Sequence, residues 1–173
     1  LSLYFKLESF VFMPVFGLNQ GISPIMSFNY GAKCKERLLK TLKIGLIIAF
    51  SIMLLGTLLF QIIPGQILSL FDVDEQILSI GNKALRTISI CFLPASVGVI
   101  FTALFQAVGK GMRSLLMSVL RQLVLIIPLA FVLSKISIDA MWFAFPISEF
   151  VAMVVAILFF IDLNKKDFSK LGK

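Results

Sequence analysis

The sequence predicts an all-α integral membrane protein, a bundle of five transmembrane helices. Hydrophobic residues make up 59% of the 173 residues and charged residues only 14%, whereas soluble domains are usually about half apolar and a quarter charged. Several stretches are also uncharged over the roughly 20 residues that a helix needs to cross a bilayer. The predicted spans cover residues 9–30, 44–68, 87–109, 115–134 and 140–161.

The first span carries an unusual set of glycines and prolines. Lys6 and Glu8 precede it and are expected near one membrane surface. On a helix, Pro14, Gly17, Gly21 and Pro24 fall within one narrow arc. The two glycines allow another helix to approach closely, and the prolines free backbone carbonyls that must find partners away from lipid. We therefore expect this arc to be a helix-packing face.

The second span follows a strongly basic loop, which is typical of the cytoplasmic side of a membrane. The loop contains Lys33, Lys35, Arg37, Lys40 and Lys43 against the single acid Glu36. The apolar run that follows is interrupted by Pro64 and Gly65. Because proline lacks the backbone N–H and its ring crowds the preceding turn, we expect the helix to end or bend there.

The third span is expected to start outside the hydrocarbon. Asp72 reads as a helix N-cap with Glu75 three residues later, as in a capping box, and Pro94 predicts a kink. The fourth span contains Arg121 and Pro128, with Arg121 about a third of the way in, where it must snorkel or find a partner. The fifth span contains Glu149, and residues 162–173 form a basic cytoplasmic tail.

Charge asymmetry sets the orientation of the chain. One side carries eleven basic residues: Lys33, Lys35, Arg37, Lys40, Lys43, Lys110, Arg113, Lys165, Lys166, Lys170 and Lys173. The other side carries four: Lys6, Lys83, Arg86 and Lys135. The positive-inside rule therefore predicts a cytoplasmic C-terminus. The chain starts at Leu1 close to its first span, with no signal peptide, so we expect it to be part of a longer polypeptide.

Composition also argues against several classes of function. There is no histidine, which argues against histidine-based acid–base catalysis and zinc chemistry. Cys34 and Cys91 have no metal-ligand spacing and are not expected to form a disulfide. No phosphate loop or nucleophile motif is present, so we predict neither enzymatic activity nor a cofactor. The net charge of +7 lies in loops beside apolar spans, which favours membrane lipid as a partner over nucleic acid.

Several motifs resemble those of one transporter family. Residues 14–33 read P-x-F-G-L-x-Q-G-x-x-P-x-x-x-x-N-Y-G-A-K, and LFDVDEQIL, FQAVGKG, RQLVLIIPL and WFAFPISE follow in order. Together they resemble helices eight to twelve of the multidrug and toxic compound extrusion (MATE) transporters. The resemblance implies two six-helix lobes around a central cavity, located in a bacterial plasma membrane. The first lobe of the same polypeptide would then be the missing partner of this chain.

The resemblance also implies an activity, namely the export of cationic, amphipathic drugs or toxins in exchange for Na⁺ or H⁺. Some relatives carry a carboxylate in helix ten, but residues 87–109 contain none, so we do not expect an ion site there. Two alternatives remain. One is a lipid-linked oligosaccharide flippase of the same superfamily, which usually needs several deep cations where this chain has only Arg121. The other is a membrane fragment that does not transport.

Four residues are the candidates for binding substrate or ion: Glu149, Gln20, Asn19 and Asn29. The three amides can equally serve interhelical hydrogen bonding, which is the commoner role. Glu149 is the sharpest candidate, because a carboxylate deep in a membrane is costly and is usually retained for function. Arg121 is expected to be a structural charge. Pairing of Arg121 with Glu149 is a second interpretation, although residue counting leaves an axial gap of roughly 9 Å between them.

Overall fold

The structure, a computed structural model, describes residues 2–69 and 75–170, and that part of the chain contains helices and no strand. The predicted all-helical fold class is confirmed. The helices are α1 (Ser2–Gly31), α2 (Lys35–Ile62), α3 (Pro64–Ser69), α4 (Glu75–Ser89), α5 (Phe92–Ala107), α6 (Gly111–Val119), α7 (Ile127–Ser134), α8 (Ile138–Met141) and α9 (Ala144–Lys166). A π-helical segment (Leu120–Ile126) joins α6 to α7, and a 3₁₀ turn (Phe168–Lys170) follows α9.

Length and composition identify the helices that can cross a membrane. Among the described residues, three helical stretches are long and apolar enough: Lys35–Ile62, Gly111–Ser134 and Ala144–Lys166. The bent pair α4–α5 is a fourth candidate if the two helices together form one span. Helix α1 is 30 residues long, but it does not meet the length and hydropathy criteria together. Its polar residues include Asn19 and Gln20. The bounds of the five predicted spans therefore stay predictions.

Both predicted proline interruptions occur as breaks in the helices. Helix α2 ends at Ile62 and α3 begins at Pro64, which confirms the expected break. Between α4 and α5 the axis bends by 47°, close to Ile90, whose carbonyl lies four residues before Pro94. The proline cannot donate to that carbonyl and its ring clashes with it, so the helix breaks there. The capping box expected at Asp72 lies outside the described residues.

The break between α4 and α5 leaves carbonyl groups that α2 satisfies. The Thr57 hydroxyl lies 3.1 Å from the carbonyl oxygen of Ser89 and 2.8 Å from that of Met53 in its own helix, so its one proton serves either acceptor. Gln61 Nε2 donates to the carbonyl oxygen of Arg86 at 2.7 Å and to Ser89 Oγ at 3.0 Å. Because an unpaired backbone carbonyl is costly away from water, these bonds allow the bend to persist inside the bundle.

Helix α5 is the centre of the bundle. It contacts α1, α2, α6 and α9, and ten of its 16 residues are buried. At its start, the Phe92 ring packs edge-on against Phe12 of α1 and Phe60 of α2. Helices α1, α2, α6 and α9 therefore pack around α5.

The close contact between α1 and α2 depends on glycines of α2. A Cβ atom built on Gly45 would lie 2.7 Å from Ile22 Cδ1, and one built on Gly56 would overlap Val11 Cγ1. By contrast, no described atom lies within 4 Å of a Cβ built on Gly17 or Gly21. Pro14 and Pro24 are exposed as well. The predicted packing face of α1 is thus open at both glycines and exposed at both prolines, and its packing role stays a prediction.

Ionic contacts join the start of α6 to the end of α9. Arg113 donates to Asp162 Oδ2 at 2.6 Å and to the carbonyl oxygen of Phe159 at 2.7 Å. Lys110 pairs with Asp167 at 3.3 Å. These contacts fix the two helices together at the basic end of the bundle.

Candidate binding site around Glu149

The position of Arg121 follows from an irregular stretch of helix. Arg121 is the second residue of the π-helical segment Leu120–Ile126, which ends two residues before Pro128. Pro128 cannot donate to the carbonyl of Val124, four residues earlier, and its ring pushes against it. The α-helical hydrogen-bond register is therefore lost over this segment, which contacts α9. Single π turns of this kind are frequent at functional sites.

Arg121 and Glu149 form an ion pair. Arg121 Nη1 lies 3.2 Å from Glu149 Oε1, and the two side chains are 31% and 11% exposed. The axial gap of roughly 9 Å came from counting residues along straight, regular helices, and the π-helical segment breaks that regularity. The second oxygen, Glu149 Oε2, is buried and has no hydrogen-bond partner among the described residues.

A narrow cavity of about 180 Å³ opens beside this pair. Asn19 reaches it from α1, Thr102 from α5 and Ser118 from α6. Thr102 donates its hydroxyl proton to the carbonyl oxygen of Gly98 at 2.8 Å, which leaves its oxygen available as an acceptor. The structure therefore brings two of the predicted site residues, Asn19 and Glu149, to the same cavity.

A second, wider cavity of about 390 Å³ also borders the pair. Glu8, Gln122 and Cys91 contribute to its walls together with Arg121 and Glu149. The charged residues that line this cavity are thus two carboxylates, Glu8 and Glu149, and one guanidinium, Arg121.

The remaining predicted candidates lie elsewhere. Gln20 lines a separate open cavity of about 470 Å³ with Ser23, Ser27 and Gln106, and Asn19 borders this cavity too. Asn29 is buried and donates to the carbonyl oxygen of Ile25 at 2.8 Å, so its amide serves its own helix. The structure thus groups Glu149, Asn19 and Arg121 but not Asn29.

Sequence reasoning missed several cavity residues. Glu8, which is expected near one membrane surface, also lines the wide cavity. The sequence does contain a signal for Glu8, because an acid at the edge of an apolar span is expected to pair with a cation on another helix. The sequence gives no comparable signal for Thr102, Ser118 and Gln122, since polar uncharged residues occur throughout membrane helices. Within the described residues, no cluster of three or more acidic or cysteine side chains could hold a metal ion.

The fold and the site define part of a multi-pass helical membrane protein. Residues 1–132 match the family described as MatE, and the chain belongs to this family of multidrug and toxic compound extrusion transporters. It is 28% identical over 133 residues to the multidrug export protein MepA of Staphylococcus haemolyticus. That alignment covers 76% of this chain and 29% of MepA, so the chain spans less than a third of this relative.

Solved structures show the same fold. The MATE multidrug transporter DinF-BH superposes with a TM-score of 0.86 and 27% identity, over 94% of this chain and 37% of that one. A MOP superfamily transporter from Pyrococcus furiosus gives a TM-score of 0.88 and 23% identity, over 99% and 38%. The resemblance to MATE transporters is confirmed, and the chain corresponds to a fragment of such a protein.

Proposed function

We propose that this chain forms part of the second lobe of a secondary active transporter that exports cationic, amphipathic compounds, with Glu149 as the cation-binding residue. Na⁺ or H⁺ entering down its gradient would drive export. The first lobe of the same polypeptide is the proposed partner. The proposed location is a bacterial plasma membrane with the C-terminus in the cytoplasm.

One observation carries the proposal. Glu149 is buried among helices, it borders two cavities, and one of its oxygens has no protein partner among the described residues. A buried acceptor is costly unless it is hydrogen-bonded or receives a ligand. An organic cation or a coupling ion would satisfy that oxygen. The relatives support the direction of the proposal, since MepA is named a multidrug export protein and DinF-BH a multidrug transporter.

The flippase alternative has less support. A pyrophosphate carrier needs several cations in its cavity. Among the described residues that line the two cavities beside Glu149, Arg121 is the single cation, and it is paired with that carboxylate. The charge of these walls is the reverse of what a pyrophosphate requires.

The test is Glu149→Gln in the full-length transporter that contains this chain. We expect the variant to fold, and we expect export of ethidium, a permanent cation, to fall at least tenfold. A neutral substrate of similar size should be affected less, because only the charge of the site is removed. The measurement is dye efflux from vesicles with an imposed ion gradient. Equal loss for cationic and neutral substrates, or no loss at all, would contradict Glu149 as the cation-binding residue.

A further inference from the structure

We propose that an open groove between α2 and α9 binds one anionic phospholipid from the leaflet at the basic end of the bundle. One acyl chain of the lipid lies in the groove, and Lys40 and Lys43 hold its phosphate group. The inference goes beyond the proposed function, because none of the described residues that line the groove lines the cavities beside Glu149.

The groove has the chemistry of an acyl-chain site. Helices α2 and α9 both pack against α5, and the groove of about 430 Å³ is lined by all three helices, including Phe50 of α2, Phe101 of α5 and Ile157 of α9. Its described lining is apolar except for Ser51, whose hydroxyl donates to the carbonyl oxygen of Ile47 at 2.9 Å. With that proton used inside α2, the walls offer hydrocarbon contacts rather than hydrogen bonds, which suits an acyl chain better than a polar ligand.

The groove lies at the depth of the acyl chains of one leaflet. Along α2, Ile47 follows Lys43 by four residues, which is about 6 Å of helix. Along α9, Ile157 precedes Lys166 by nine residues, which is about 14 Å. Each leaflet contributes about 15 Å of hydrocarbon, half of the roughly 30 Å core. A lipid whose phosphate lies beside these lysines therefore has its acyl chains level with the groove.

Two lysines of α2 lie at the basic end of this groove. Lys43 precedes Leu46, Ile47 and Phe50 by three, four and seven residues, and residues at these spacings share one face of a helix. Lys40 precedes Ile47 by seven residues and lies on the same face. Both lysines are exposed, as are Ile47 and Phe50. A lipid that enters the groove from the membrane therefore meets the two ammonium groups at the level of its headgroup.

The two lysines favour an anionic headgroup. At the same end of the bundle, Lys110, Arg113 and Lys166 each pair with an aspartate. Within the part of the chain that the structure describes, no ion pair involves Lys40 or Lys43. A lipid phosphate supplies the negative charge that these two lysines lack. The headgroup ammonium of a zwitterionic lipid offsets its phosphate, so the site should select an anionic lipid such as phosphatidylglycerol.

Photolabelling of the full-length transporter that contains this chain tests the site. The protein would be reconstituted into phosphatidylcholine nanodiscs with a trace of phosphatidylglycerol or phosphatidylcholine carrying a diazirine in the middle of one acyl chain. After irradiation, mass spectrometry of the peptides locates the adducts. We expect adducts at Val97 and Phe101, the α5 wall of the groove, with labelling by phosphatidylglycerol about fivefold or more above that by phosphatidylcholine.

Two outcomes of this labelling would overturn the inference. Equal labelling by the two lipids would show that the groove does not select an anionic headgroup. Absence of adducts at Val97 and Phe101 would show that another helix of the full-length protein covers the groove.

Lys43→Gln separates a defined site from general surface attraction. It should lower the labelling of Phe101 by phosphatidylglycerol about fivefold, the effect of one basic residue beside an anionic lipid, and leave labelling by phosphatidylcholine unchanged. Arg37→Gln is the matched control, because Arg37 is exposed in the same basic stretch but lies nine residues before Leu46, on the opposite face of α2. It should change the labelling less than twofold. Equal losses in the two variants would contradict the site, as would competition by excess soluble glycerol phosphate, which has no acyl chain.

Ser51→Phe tests the groove without changing any charge, and it covers the case in which Lys43→Gln does not fold. Ser51 is exposed and its hydroxyl bonds within its own helix, so a phenyl ring can occupy the groove while α2 stays intact. We expect this variant to lose the labelling of Phe101. Leu55→Phe, at an exposed position of α2 outside the groove lining, should keep it. Labelling of Phe101 that survives Ser51→Phe would show that no acyl chain occupies the groove.

Discussion

Substitution of Gly56 by alanine tests the packing of α1 against α2. A Cβ at position 56 would overlap Val11 Cγ1, with Val11 Cγ2 at 3.2 Å and Val11 Cβ at 3.4 Å. All three atoms belong to a β-branched side chain with one strongly preferred rotamer in a helix, so the backbones must separate. Overpacking of this kind typically costs about 1–3 kcal/mol.

Two other glycines serve as matched controls for this substitution. Replacing glycine by alanine within a helix favours the helix by about 0.8–1.0 kcal/mol. This gain is common to both variants, so it cancels when the change in unfolding free energy of Gly17→Ala is subtracted from that of Gly56→Ala. No described atom lies within 4 Å of a Cβ at Gly17, so that variant should be neutral or stabilising in this chain. Gly45→Ala should fall between the two, because the one atom closer than ordinary contact to its Cβ is Cδ1 at the end of the Ile22 side chain, at 2.7 Å.

The assay is unfolding of the 173-residue chain in mixed micelles with increasing SDS, followed by circular dichroism. Gly56→Ala should be less stable than Gly17→Ala by about 1–3 kcal/mol. Equal stability of the two variants would refute the account of the α1–α2 contact. A large loss for Gly17→Ala would show that the glycine face of α1 packs within this chain after all.

Two further predictions concern the ion pair and the orientation. Arg121→Gln should lower the stability of the full-length transporter by roughly 1.5–3 kcal/mol, the range for a hydrogen bond to a charged group. In the same SDS titration, adding Glu149→Gln should recover most of the lost stability, because no buried charge then lacks its partner. A further loss of stability would show that the two side chains are not coupled. A membrane-impermeant maleimide should label Cys34 from the cytoplasmic side only and should leave Cys91, which is 3% exposed, unmodified. Labelling of Cys34 from outside would contradict the orientation inferred from the positive charges.

The fold could be predicted from the sequence because membrane helices are determined by local properties. Long uncharged runs and basic loops report helix positions directly, and Pro64 and Pro94 mark helix breaks through their missing N–H groups. The glycine contacts were harder to predict. The Gly-x-x-x-Gly pattern of Gly17 and Gly21 pointed to α1, yet the close approach uses Gly45 and Gly56 of α2, whose spacing matches no short motif.

The candidate site could be predicted only in part. Glu149 and Arg121 stood out because deep charges are rare in membrane helices. Their direct contact was uncertain because counting residues ignores helix tilt and the π-helical segment. The contribution of Glu8 depends on how α1 crosses the bundle, and a single sequence carries no information on that crossing. Tertiary arrangement, rather than residue type, decides which polar side chains share a cavity.

The most direct test of the central claim compares dye export by the full-length transporter and by this chain alone. Both would be reconstituted into vesicles with an imposed Na⁺ or H⁺ gradient, and ethidium efflux would be measured at matched protein amounts. A cavity between two lobes requires both lobes, so we expect gradient-driven efflux from the full-length protein and none from the 173-residue chain. Robust efflux by the monomeric chain, or its absence from the full-length protein, would contradict the assignment of this chain as part of one lobe of a cation exporter.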